Sequence, residues 1–187
     1  MRYPLHKRYP TLADIAEMKA SGYDRDTLER AREDHQRGLT AREVCSEIRA
    51  AFKGVTLGNG IGLSQARALD DHVDHAASSA YRENDEKDDW ERIPKEVLDR
   101  YRGSLVFLDA EGMRFHLPAY LIADLEGESG HDMGWELTLT GYSRFSLLNK
   151  EQRMAVRSYL QLLASDPDHT FDRPAILSAL EDFREAD

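Results

Sequence analysis

The segment from Asn149 to Asp166-Pro167 constrains the fold most. Asn149 can cap a helix, and Val156, Tyr159, Leu160 and Leu163 recur at spacings of three and four, with Met154 and Leu162 alongside. A helix of that length cannot leave its apolar face in water, so the rest of the chain must supply a core for it. Asp166-Pro167 ends the helix, because a residue before proline is steered away from helical geometry. The chain has 187 residues, enough for one domain with a core that needs no staples.

Other helix signals surround this one. Thr11 caps a short helix from Leu12 to about Ala20, with Asp14 three residues on and Gly22 past the end. Asp24 starts a polar helix that Gly38 is expected to stop. Thr40-Ala-Arg-Glu43 has the spacing of a capping box, and Leu39 and Val44 that of a hydrophobic staple. They predict a new helix whose inward face is Val44, Ile48, Ala51 and Phe52, ended by Gly54. Ser64 starts a helix running to about His75, and Pro94 one with Val97, Leu98 and Tyr101 inward. Pro118 opens another, and Pro174 a last short one. Residues 76–89 read as an acidic insertion between helices.

Strand patterns lie between the last helices. Leu105 to Leu108 is a continuous apolar run, Asp109-Ala-Glu-Gly112 supplies turn residues, and Met113, Phe115 and Leu117 alternate with Arg114 and His116. Trp135, Leu137 and Leu139 alternate in the same way. The expected fold class is therefore α+β. A small antiparallel sheet of about three strands (104–108, 113–117 and about 135–140) packs on several helices, behind an N-terminal helical pair. Residues 1–38 form the extension and 39–187 the single domain.

Charge narrows the function classes. The formal net charge is −10, which repels phosphate backbones and anionic lipid, so neither nucleic acid nor membrane is an expected partner. The one basic patch, Arg2, Lys7 and Arg8 with Tyr3 and Tyr9, is short and terminal. A single cysteine excludes an internal disulfide, and the N-terminus lacks the apolar core of a signal peptide, so the expected compartment is the cytoplasm.

Several groupings invite a chemical reading. Gly58-Asn-Gly60-Ile-Gly62 precedes a helix, but Leu63 stands where the dinucleotide fingerprint needs its third glycine. Residues 66–99 carry eleven acids against five bases, a field that opposes phosphate, so a tight turn is expected. Asp70-Asp-His-Val-Asp-His75 offers Asp71, His72 and His75 as metal-ligand candidates, since residues three and four apart share a helix face. The competing reading is a solvated helix end, with no metal and no cofactor. His131-Asp132 completes such a site only if the fold brings it near. Cys45 lacks a His/Asn motif and reads as a small buried hydrophobe. His116 reads as an ordinary surface or second-layer histidine. Asp85, Glu86, Asp88 and Asp89 beside Trp90 are the candidate binding residues, an acidic face around an aromatic anchor, against a solvated loop with a buried indole. No catalytic motif accompanies them.

Ala51-Phe52, the Gly58 to Gly62 turn, Asp89-Trp90, Phe115-His-Leu-Pro-Ala-Tyr-Leu121, and Leu147-Leu-Asn-Lys-Glu-Gln152 with Tyr159-Leu160 fall in a familiar order. Over residues 44 to 164, approximately, this set resembles a family of small bacterial domains of unknown function. The resemblance implies a bacterial cytosolic origin and no known activity. The expected function is protein binding, in its specific form an immunity- or antitoxin-type inhibitor of a basic toxin enzyme. The alternatives are a metal-dependent enzyme built on Asp70–His75 and a structural or regulatory homo-oligomer.

Overall fold

The computed structural model describes residues 9–127, 133–139 and 142–183. Among the described residues there are nine α-helices and no strand, so the α+β expectation is overturned. In chain order the helices are α1 (Leu12–Ala20), α2 (Arg25–Ala51), α3 (Leu63–Asp70), α4 (His75–Ser78) and α5 (Lys95–Tyr101). They continue with α6 (Ala110–Leu125), α7 (Met133–Thr138), α8 (Lys150–Ser165) and α9 (Arg173–Asp182).

Each expected strand fails for its own reason. The alternation of Met113, Phe115 and Leu117 lies inside α6, whose residues from Phe115 to Ala123 are all buried. A helix covered on every side has no polar face, so neither period survives in its sequence. Its true start is Asp109, which accepts the Gly112 N–H at 2.8 Å, and Pro118 sits inside it rather than opening it. Leu105 and Leu108 belong to a 3-10 stretch, Arg102–Phe107, and its end. Residues three apart eclipse there, so both leucines are buried while Val106 is 60% exposed. Residues 135–138 are helical within α7, and Thr140 lies outside the described residues.

The capping signals fare better. Thr11 and Asp14 form a reciprocal capping box on α1, and Asn149 and Gln152 form one on α8. Asp24 caps α2 through the Thr27 N–H. The Thr40–Glu43 box, by contrast, is not used: α2 runs unbroken through Gly38 and Thr40 for 27 residues. Gly38 does not stop the helix because Tyr9 seats on it, where an added Cβ would stand 2.7 Å from the Tyr9 Cβ. The packing offsets the roughly 1 kcal/mol that glycine costs in a helix interior. Gly38→Ala is therefore expected to lift Tyr9 off α2, read as faster amide exchange over residues 9–20. Global stability should move by no more than about 1 kcal/mol, since alanine recovers that propensity. Unchanged exchange would show that Tyr9 is not held there.

The main core gathers around α6, with Phe52, Leu57, Tyr159, Leu160, Ile176 and Phe183 among its buried members. A second, smaller cluster of Ile15, Met18, Leu28 and Ala31 ties α1 to the first half of α2. On the other side α2 and α8 pack antiparallel. Gln152 near the start of α8 donates to the Ala51 carbonyl at the end of α2 (3.3 Å) and accepts from Arg114 of α6 (3.1 Å). Among the described residues no helix is long and apolar enough to cross a membrane.

Candidate functional site

The acidic stretch after α4 is occupied with its own backbone. Both carboxylate oxygens of Asp85 accept the Ser64 N–H, at 3.0 and 3.1 Å, and so cap α3 from across the chain. Burial holds that carboxyl above its usual range, against the pull of the hydrogen bonds from Ser64 and Gln65. Glu86 Oε1 accepts the N–H groups of Lys87, Asp88 and Asp89, and these bonds, Asp88's foremost, hold its carboxyl below the usual range. Asp89 accepts the Glu91 N–H and pairs with Arg92 at 3.3 Å. Of the candidate carboxylates Asp85, Glu86, Asp88 and Asp89, only Asp88 belongs to an exposed residue.

Trp90 points inward. It is 3% exposed, and its Nε1–H donates to the Phe52 carbonyl at 2.9 Å. The indole thus joins the 90–92 turn to the end of α2 and presents no aromatic surface to a partner. Trp90→Phe removes this bond and part of a buried ring, while the Phe52 carbonyl keeps the Val55 N–H at 3.2 Å, and should lower stability by about 2 kcal/mol. If the ring were a docking hot spot instead, affinity for a partner would fall and stability would not.

The Asp70–His75 run is not one helix. It ends at Asp70, Asp71 caps it, and His72 adopts φ 65 before Asp74 starts α4. The shared-face spacing expected for Asp71, His72 and His75 therefore does not exist. Asp71 pairs with Arg67 at 3.0 Å, and Asp74 accepts the amides of Ala76 and Ala77. Among the described residues no group of three or more His, Cys, Asp or Glu side chains could hold a metal ion. His131 and Asp132 lie outside the described residues, as do Arg2, Lys7 and Arg8.

The other candidates are structural. The glycine turn is clasped by Arg82, which donates to the Gly58 and Gly60 carbonyls. Cys45 is buried in α2; burial first, then the Glu126 carboxylate, push its thiol up to about 11, so little thiolate exists at neutral pH. His116 is buried inside α6, not on a surface, with Nδ1 2.7 Å from the Gly112 carbonyl.

The open chemistry lies elsewhere, along the outer seam of α2 and α8. Two adjoining hollows of about 700 and 470 Å³ share Glu47, Ser158 and Gln161 as walls, so they form one trough. Gln36, Thr40, Glu43, Glu47 and Ala50 line it from α2. Glu151, Met154, Ser158, Gln161 and Ser165 line it from α8. Both rows alternate steps of three and four, the period that keeps one helix face toward a neighbouring helix. The end walled by Ala50, Ala51, Met154 and Ala155 is apolar, and Met154 is 52% exposed.

Four of the other wall residues are acidic. Glu33, Glu43, Glu47 and Glu151 line the trough, and among the described residues none of them is held in an ion pair. Its two arginines are engaged: Arg37 with Asp34, and Arg157 with the Leu180 carbonyl. With Arg37 neutralised by Asp34, four glutamates face the single cation of Arg157, which a neutral carbonyl holds, so the trough is net negative. The sequence contains this pattern, but the capping-box spacing of Thr40 and Glu43 masks their place in a longer stripe.

A model of a family of unknown function (DUF6714) matches residues 40–185. That span confirms the expected membership of a family without assigned function, and does not itself show the motif pattern proposed for it. No curated protein and no solved structure matches.

Proposed function

The chain belongs to DUF6714, a family of unknown function, and from that premise we propose that it is a protein-binding module whose docking surface is the α2–α8 trough. One observation carries the reading: four glutamates that have no ion-pair partner among the described residues stand around an apolar-ended trough between two packed helices. Fixed like charges in a concave surface attract a cationic partner and speed its encounter. The apolar end supplies contact area that charge alone does not. An inhibitor of a basic enzyme is one form such a module takes.

The test uses the full chain and a Glu43→Gln/Glu47→Gln/Glu151→Gln variant as baits in extract of the source cell. At about 50 mM salt, where surface charges are weakly screened, the wild type should retain a basic protein that the variant retains at least fivefold less. At about 500 mM salt the difference should shrink. Identical retention by both baits would sink the reading.

A further inference from the structure

We propose that the occupant of the trough is a basic amphipathic α-helix of a partner protein, which docks as a third helix on the α2–α8 pair; this rests on the docking function given above. Period, length and charge each support it.

The two rows that line the trough repeat every seven residues, from Gln36 to Ala50 and from Glu151 to Ser165. Each covers four helical turns, about 21 Å at 1.5 Å per residue. A strand has a period of two and would meet such rows out of step, whereas a helix meets them at every turn. Because α2 and α8 are antiparallel and already packed, the trough is the place where a three-helix bundle would put its remaining member. A matching segment is about 14 residues long.

Charge gives the occupant its composition. Glu47 from α2 and Glu151 from α8 flank the apolar end, and Glu43 stands one turn before Glu47 in the adjoining hollow. A helix that fits places one or two apolar residues against Ala51, Met154 and Ala155, with Lys or Arg at the flanking positions. Methionine at that end suits a partner whose side-chain shape is not fixed in advance. A second copy of this chain is disfavoured, because it would bring glutamate to glutamate and carries net charge −10 itself.

A phage-displayed library of helical peptides, panned on the intact protein, tests this. The expected winners carry Lys or Arg beside apolar residues spaced three and four apart. Their Kd should rise at least tenfold in Glu43→Lys/Glu47→Lys and in Ser158→Trp, which fills the trough. The first variant changes only exposed side chains, so a folding defect in the second leaves the test intact. Winners that are acidic or extended, or that bind the charge-reversed variant equally, overturn the proposal. If no peptide is enriched while capture from extract still depends on the glutamates, the helical occupant is wrong and the docking function stands. If neither responds, both fall.

Discussion

A single methyl group at position 112 is expected to lower the stability of the folded chain by about 3 kcal/mol, the upper end of what overpacking costs. Gly112 lies in the first turn of α6, against the loop that precedes α3. A Cβ there would stand 2.3 Å from the Ile61 carbonyl oxygen, and one on Gly60 would stand 2.5 Å from the Gly112 nitrogen. The obstacles are backbone atoms, which cannot swing aside as a side-chain tip can. The same junction is bonded from both sides. Asp109 Oδ1 accepts the N–H groups of Gly112 and Ile61, at 2.8 and 3.0 Å, and Glu111 accepts that of Asn59 at 3.0 Å. Moving the loop to admit the methyl breaks the Ile61 and Asn59 bonds together. Gly54→Ala is the control: its φ is +74 but nothing lies within 4 Å of the added Cβ, so only the left-handed backbone is strained, costing about 1 kcal/mol. Urea unfolding of both variants decides the matter. Equal losses would mean that the loop and α6 do not interlock.

The second large effect is one of pH. Burial pushes the His116 imidazole down to about 4, against the opposing pull of the Gly112 carbonyl and the Asp109 carboxylate. The unfolded chain takes up its proton near 6.5, well before the folded one does. The unfolded state therefore binds more protons between those limits. The contribution of a neutral His116 is complete above about 6.5 and is lost as pH falls toward 4, about 3 kcal/mol in all. Asp85, raised by burial, acts in the opposite sense, so the whole protein mixes both trends. A His116→Leu variant isolates the histidine. Urea unfolding from about pH 7.5 to pH 4.5 should show the wild type losing about 2–3 kcal/mol relative to that variant. Parallel curves would show that the imidazole is hydrated in the folded state.

What the sequence disclosed, and what it hid, follows from how local each signal is. Thr11, Asp24 and Asn149 act on amides two or three residues away, and each caps the helix expected of it. Gly38 and Thr40 carry the same kind of local signal and are overruled by a distant one, Tyr9. The strand-like alternation before Pro118 misleads because a helix buried on all sides has no polar stripe to set its period. Asp85 and Trp90 are legible as part of an acidic, aromatic cluster but not as ties across the fold, since their partners, Ser64 and Phe52, lie more than twenty residues away. The trough was least visible. It exists only where two stripes from helices a hundred residues apart come together, and neither stripe is apolar enough to stand out alone.

The continuity of α2 has one more consequence. The family match begins at residue 40, within that helix, so the trough lies partly inside and partly outside the matched span. A chain starting at residue 40 would keep Glu43, Glu47 and the hydrophobic end, and would lose Glu33, Gln36 and Arg37. The first half of α2 thus sets how far the trough extends beyond the matched span. If the trough is the docking surface proposed above, this chain cut at residue 40 should grip a shorter helix than the full chain does.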